Sequence, residues 1–197
     1  MYSFLIVSRN KDNANVPNFK HREYRFLAEG TDDPRVKRNL EDFVKHGQDR
    51  ELVRLYMSVN ERDLEKTNRD LIKFLVDHPD FDLSKIEAKT VSIANKQENA
   101  KTHYWLFDFD CDLPSKLQDF LNDIHNVNTL INMEYSPTPN GFAVITKERF
   151  DCRELLEKWK GIVELKKDAM QFICIKSKKD YIHDLRQMEN YRWRIRK

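Results

Sequence analysis

The sequence predicts an α+β fold in which an N-terminal α/β half precedes an RRM-like, ferredoxin-like half of the order β-α-β-β-α-β. Three observations predict it. A length of 197 residues suits one domain with a sizeable core. Strand and helix patterns alternate in the first hundred residues, and from residue 101 they follow the split β-α-β order. We therefore assign residues 1–100 to the N-terminal half, 101–176 to the RRM-like half and 177–197 to a basic C-terminal tail of a single domain.

The N-terminal half begins with a strand predicted over residues 2–7, which a polar stretch follows through Pro17. The next clear element is a helix that starts at Asp33-Pro34, because a capping side chain followed by proline is a typical helix start. Apolar residues then recur at helical spacing until Gly47 ends the helix.

A second strand is predicted over residues 52–59, and Asn60 is expected to cap a helix that His78 ends. This helix carries one apolar stripe at helical spacing. The stripe comprises Leu64, Leu71, Ile72, Leu75 and Val76. Residues 80–100 are polar, with a short strand expected around residues 90–93.

The RRM-like half follows from regular patterns. Strands are predicted over residues 104–110, 128–135, 142–146, 162–165 and 170–175. One helix is predicted to begin at Pro114, and a second to span residues 151–159. Residues 136–141 are expected to form a turn, since they contain two prolines, an asparagine and a glycine. A last helix is predicted around residues 181–191.

Composition excludes several classes of protein. The four glycines are widely spaced, whereas both glycine-rich phosphate-binding loops need clustered glycines. The longest apolar run, residues 4–7, is too short to span a membrane, and no signal peptide is recognisable. Three scattered cysteines predict neither a disulfide framework nor a zinc site. We expect a cytoplasmic protein with no membrane partner.

Charge is unevenly distributed, although the net charge is only +2. Eight basic residues and three acidic residues lie between Lys176 and Lys197, so this segment carries +5 and the rest −3. Basic and aromatic residues of the tail are candidate contacts to phosphates and bases of nucleic acid: Arg192, Trp193, Arg194 and Arg196. A solvated helix end explains them equally well. Arg54 and Arg62 are candidates for a second basic surface, although most such faces are simply solvated.

The most specific pattern is Asp108-Phe109-Asp110 at the end of a predicted strand. Side chains alternate along a strand, so Asp108 and Asp110 share one face whereas Phe107 and Phe109 point into the core. Paired carboxylates suit Mg²⁺ or Mn²⁺ bound together with the phosphates of a substrate. The plainer interpretation is a strand end with solvated acids.

Two further segments are candidate parts of the same site. Asn140-Gly141 leads from a turn into a strand, where backbone N–H groups can face a phosphate, although an ordinary hairpin is the simpler explanation. Asp168 follows an apolar run and two lysines. If its strand lies beside that of Asp108, Asp168 joins the metal site and Lys166 or Lys167 faces a phosphate. A charged surface loop is the alternative.

Taken together, these segments resemble the catalytic core of the archaeo-eukaryotic primase superfamily, the primase-polymerases, in its small phage and plasmid form. The resemblance covers roughly residues 50–175 and includes the Leu55–Asn60 segment before the first motif. The family carries a D-x-D motif, then a small residue followed by x-His, then a single Asp. By match, Asp108 and Asp110 form the first motif and Asp168 the third. The resemblance implies that these acids hold divalent metal ions and a nucleoside triphosphate.

The chain departs from the family pattern at the middle motif, which reads Gly141-Phe142-Ala143. The family histidine contacts the phosphates of the incoming nucleotide, whereas alanine neither donates a hydrogen bond nor carries charge. The cations that could replace it are Lys147, Arg149, Lys166 and Lys167.

Three functional hypotheses follow. The first is a primase- or polymerase-like nucleotidyltransferase that uses Mg²⁺ or Mn²⁺, acts on nucleic acid and nucleoside triphosphates, and has a replication or host protein as a further partner. The second is a catalytically degenerate module of phage or mobile-element origin that binds nucleic acid or a protein. The third, a rolling-circle nuclease, ranks last because the six histidines contain no His-x-His pair.

Overall fold

A computed structural model describes residues 1–179 of the chain. The predicted helix over residues 181–191 and the four tail candidates (Arg192, Trp193, Arg194 and Arg196) lie outside the described residues.

The described residues form a mixed α+β structure with two four-stranded sheets and five α-helices. The strands are β1 (Tyr2–Ser8), β2 (Arg22–Ala28), β3 (Val53–Ser58), β4 (Trp105–Phe109), β5 (Met133–Thr138), β6 (Gly141–Thr146), β7 (Val163–Lys166) and β8 (Met170–Lys176). The helices are α1 (Pro34–Lys45), α2 (Leu64–Asp77), α3 (Ile86–Ala94), α4 (Pro114–Val127) and α5 (Arg153–Lys158).

The chain divides into two compact units. The first unit comprises residues 1–57, 61–100 and the described residues from 172 onward, and the second comprises residues 58–60 and 101–171. The strand β8 therefore lies mostly in the first unit, although the sequence placed residues 101–176 together.

The first unit is built on a sheet of order β2-β1-β3-β8, in which β1 runs antiparallel to both β2 and β3. One core cluster joins buried strand residues such as Phe4, Ile6 and Leu55 to the apolar stripe of α1. The helix α1 begins as predicted, since the Asp33 side chain accepts a hydrogen bond of 2.9 Å from the Arg35 amide.

Two elements of the first unit, β2 and α3, differ from the sequence prediction. The strand β2 was not predicted, because it is an edge strand whose first residues are mostly exposed. The segment around residues 90–93 belongs to helix α3 and not to a strand. In α3, the Thr90 hydroxyl donates to the Ile86 carbonyl at 2.8 Å, and Val91 and Ile93 are buried, so packing outweighs the strand preference of these branched residues.

The helix α2 starts and packs differently from the prediction. Its cap is Asp63, whose carboxylate accepts a 3.0 Å hydrogen bond from the Lys66 amide, and not Asn60. The predicted apolar stripe is not a buried face, because Ile72 and Val76 are 64% and 74% exposed.

The second unit confirms the predicted β-α-β-β-α-β order. Its sheet has the order β5-β6-β4-β7 with antiparallel neighbours throughout. Helices α4 and α5 supply Phe120 and Leu155 to a core that includes Phe107, Phe109 and Trp159. The aromatic side chains of β4 thus lie in the core, as the alternation predicts.

The hairpin between β5 and β6 is tighter than predicted. Thr138 pairs with Gly141, so the turn contains only Pro139 and Asn140, and β5 begins at Met133 and not at residue 128. Proline is accepted in β5 because β5 is an edge strand. A side chain at Gly141 would collide with the Phe109 carbonyl oxygen, so glycine allows β6 to approach β4 closely here.

Candidate functional site

The strand β4 places Asp108 on the sheet face that points away from the core aromatics. Phe107 and Phe109 are fully buried, whereas Asp108 is partly exposed. Since β4 lies between β6 and β7, Asp108 has a neighbouring strand on both sides. The sequence pattern therefore predicted the orientation of this carboxylate correctly.

Four residues, one from each strand, form a row across the sheet that includes Asp108. Asp108 pairs with Ala143 on β6 and with Glu164 on β7, and Ala143 pairs with Ser136 on β5. Directly opposed residues share a face with Cβ atoms about 4.5–5.5 Å apart. Ser136 accepts a 3.0 Å hydrogen bond from the buried Gln171 side chain. We call Ser136, Ala143, Asp108 and Glu164 the site row.

Glu164 is a member of the site row that sequence reasoning did not single out. It belongs to the charged stretch before Asp168, and the two-residue period of Val163-Glu164-Leu165-Lys166 is the sequence signal that indicates its position. That period places Glu164 and Lys166 on the same face as Asp108.

Lys166 is the cation at the site row. Its Nζ atom lies 2.5 Å from Asp108 Oδ2 and 3.4 Å from Glu164 Oε2. Burial disfavours the charged ammonium, but the hydrogen bond and charge of Asp108, with help from Glu164, raise the pKa of Lys166 above its ordinary value. Lys166 is therefore charged at neutral pH and balances one of the two carboxylates.

Asp110 follows the last residue of β4. Its backbone N–H donates to the Ile162 carbonyl at 2.8 Å, which continues the contact between β4 and the chain that leads into β7. The Asp110 side chain is exposed and, by alternation, lies on the face of Asp108.

Asp168 lies at the other end of β4. Because Lys166 pairs with Leu106 in an antiparallel register, Asp168 comes beside Tyr104 and not beside Asp110. Tyr104 and Asp110 are separated by about 20 Å of extended strand. Within residues 1–179, no group of three or more His, Cys, Asp or Glu side chains is arranged to hold a metal ion. The structure thus keeps Asp108 and Asp110 together but separates Asp168 from them.

Asn60 explains the position of Asp168. The side chain of Asn60 is buried, and its Nδ2 atom donates to Asp168 Oδ1 at 3.2 Å and to the Tyr104 carbonyl at 3.3 Å. Its Oδ1 atom accepts from the Tyr104 amide at 2.6 Å and from the Thr102 hydroxyl at 3.2 Å. An asparagine that follows a strand can cap a helix or hold neighbouring backbone groups through its side chain. Sequence alone did not distinguish these two roles for Asn60.

The other candidates for phosphate binding are dispersed. Asn140 is exposed in the turn before Gly141. Lys147 pairs with Glu134 at 2.7 Å, and this hydrogen bond raises the pKa of Lys147. Lys167 is exposed, but as the neighbour of Lys166 it does not share the face of the site row.

Arg54 and Arg62 of the first unit are largely withdrawn from solvent. The Arg62 residue is 3% exposed, and the Arg54 side chain is 12% exposed. The Arg54 guanidinium pairs with Asp12, which Arg9 also contacts. These arginines do not form the exposed basic surface that the sequence predicted.

No protein-family model matches the chain, and no curated protein matches it in sequence. Between residues 1 and 179, none of the helices combines the length and the apolar character needed to cross a bilayer.

Proposed function

We propose that the second unit is the catalytic half of a primase-polymerase-type nucleotidyltransferase that acts on nucleic acid. One observation carries the proposal. The register of β4 and β6 sets Ala143, the last residue of the middle motif, directly beside Asp108 of the D-x-D motif. Two segments that lie far apart in the sequence, and that resemble two family motifs, therefore share one face of one sheet.

The carboxylates at this face fit Mg²⁺ or Mn²⁺. Magnesium is usually held by one or two carboxylates together with waters and substrate phosphates, and not by a complete cage of protein ligands. Asp108 and Asp110 provide such a pair, and Glu164 lies opposite Asp108. A metal ion bound there would stabilise charge on the attacking and leaving oxygens of an in-line displacement.

Residues of this chain supply the remaining chemistry. The family histidine corresponds to Ala143 of the site row, and in this proposal Lys166 takes its place in binding a phosphate oxygen. The Lys166 side chain is partly exposed, and its ammonium contacts Asp108 of the same row. Asp168 holds no metal in this proposal. It supports the start of β4 through Asn60.

A second candidate function is a degenerate module that binds nucleic acid or nucleotides without transferring them. Two observations favour it. Ala143 leaves the middle of the site row without a hydrogen-bond donor, and Lys166 already neutralises Asp108. Such a module would bind phosphates without a requirement for metal.

Incorporation of labelled nucleotides on primed and unprimed templates with Mn²⁺ or Mg²⁺ tests the proposal. We expect D108N/D110N to lose about 100-fold or more of the activity, as is typical when groups that stabilise transition-state charge are removed. The matched control is D119N, which changes an exposed carboxylate on α4. Full activity in the folded double variant would reject the proposal.

Restoring the family residue separates the two candidates. An inactive natural chain that gains incorporation in A143H would identify a decayed enzyme. A natural chain that incorporates nucleotides, and loses this activity in D108N/D110N, would identify a working one.

A further inference from the structure

We propose that Lys166 couples metal binding to triphosphate binding, so that a divalent ion enters the site together with a triphosphate and not alone. This inference rests on the proposed function. It starts from two ion pairs of Lys166. The Lys166 ammonium lies between Asp108, at 2.5 Å, and Glu164, at 3.4 Å, on the face where the metal would bind.

The sheet register keeps Lys166 close to Asp108. Lys166 pairs with Leu106, two residues before Asp108 on β4, so its side chain lies diagonally across from the carboxylate. On β6, the residue directly opposite Asp108 is Ala143, which carries no charge. Among the described residues, Asp108 and Glu164 are the acids paired with Lys166.

A free divalent ion must therefore compete with an ammonium that already neutralises Asp108. Displacing the ammonium removes one of its two carboxylate partners and places two cations close together, which opposes binding. A triphosphate removes this penalty, because its oxygens provide a new anionic partner for Lys166. The side chain has room to turn toward such a ligand, since 39% of it is exposed.

The two ligands should then assist each other. Coupling between binding sites is reciprocal and typically changes affinity by about 5–150-fold. With lysine at position 166, metal alone binds weakly and metal with triphosphate binds well. Without this ammonium, metal alone binds well and the triphosphate adds little.

The experiment measures Mn²⁺ binding to the full chain by electron paramagnetic resonance, in the absence of nucleotide. We expect K166M to bind Mn²⁺ alone at least about 5-fold more tightly than the natural chain. K160M is the matched control, since it removes an equal charge and another ion-paired lysine from the same unit. We expect K160M to bind Mn²⁺ as the natural chain does, and K166R to behave like the natural chain.

A second measurement uses a fluorescent, non-hydrolysable triphosphate analogue, first with EDTA and then with saturating Mn²⁺. The gain in affinity that Mn²⁺ gives should be smaller in K166M than in the natural chain by about 5-fold or more. Equal tightening of Mn²⁺ binding in K160M and K166M would overturn the coupling, since it would reflect net charge alone. Unchanged or weaker Mn²⁺ binding in K166M would also overturn it.

These failures differ from a failure of the proposed function. If D108N abolishes Mn²⁺ binding while K166M leaves it unchanged, the metal site stands and the coupling is wrong. If no variant binds Mn²⁺ with or without the analogue, both proposals are wrong.

Discussion

Asn60 forms several hydrogen bonds through one buried side-chain amide. Its side chain offers an acceptor and a donor to the start of β4 and a second donor contact to Asp168. Removal of the amide would take away the side-chain acceptor of the Tyr104 backbone N–H. A buried polar group without a partner costs about 1–3 kcal/mol.

We expect N60A to lower the free energy of unfolding by about 1–3 kcal/mol, because it removes the partner of the Tyr104 amide. Urea denaturation measures this change. N122A is the control, since Asn122 is exposed on α4, and its effect should stay within about 0.5 kcal/mol. An N60A variant as stable as N122A would mean that water replaces the lost contacts.

At the scale of single residues, the sequence predicted which face of a sheet a side chain occupies better than which residues lie beside it. The two-residue period of a strand was enough to place Asp108 opposite the core aromatics. The neighbour of Asp168 could not be predicted in this way, because it depends on the register between β4 and β7. The burial of Arg62 could not be predicted either, since its sequence context is that of a solvated helix start.

At the scale of elements, the contact between β4 and β6 leaves no room for a side chain at Gly141. A Cβ atom added at Gly141 would meet the Phe109 carbonyl oxygen and would lie 2.8 Å from the Cys111 nitrogen. Both of these are backbone atoms, so they cannot rotate away. Relief of the collision would move β6 relative to the strand that carries Asp108.

We expect G141A to destabilise the protein by about 3 kcal/mol or more, since strain forced on a packed backbone belongs to the severe class of substitutions. The comparison is G161A. Gly161 has a φ of +82° but no atom within 4 Å of an added Cβ, so its cost should be only about 1–2 kcal/mol. Thermal or urea unfolding measures both. If G141A is no worse than G161A, the two strands are less closely held than the structure indicates.

Element types were predictable where the pattern was long and regular. The helix α4 and the strands β4 and β6 follow from strong periodicity and from a proline at the helix start. The strand β2 and the helix α3 were not predictable. The exposed residues of β2 resemble a loop, whereas α3 is stabilised by the burial of residues that favour strands.

At the scale of the whole molecule, the order of elements was predictable in the second unit, but the division of the strands into sheets was predictable only in part. The split β-α-β order fixes the four strands of the second unit. The sequence does not reveal that β8 pairs with β3, because β7 and β8 have similar apolar patterns and only one can fill the edge beside β4.

The pH dependence of stability is a property of the whole chain, and the ion pair of Arg22 with the buried Glu51 contributes to it. Burial opposes the charge of Glu51, but hydrogen bonds from the Gln48 amide and from Arg22 lower the pKa of Glu51 below its ordinary value. A lowered folded-state pKa stabilises the fold above the unfolded value of about 4.3. That stabilisation is lost as the pH falls below this value.

We therefore expect E51Q to reduce the free energy of unfolding at pH 7 by about 2 kcal/mol, through the loss of hydrogen bonds to a charged acceptor. The difference from the natural chain should shrink between about pH 5 and pH 3, as protonation removes the advantage of the carboxylate. Urea midpoints across this range measure the effect. The control is E98Q, at an exposed glutamate of the same unit, whose stability should change with pH as that of the natural chain does. A loss of stability in E51Q that is the same at every pH would contradict the lowered pKa of Glu51.

The placement of β8 also has a consequence for biosynthesis. The ribosome makes β1, β2 and β3 early, then every strand of the second unit, and only afterwards β8. The fourth strand of the first sheet is therefore made only after the strands of the second unit. Of the two units, the first is begun earlier, and its sheet is completed later.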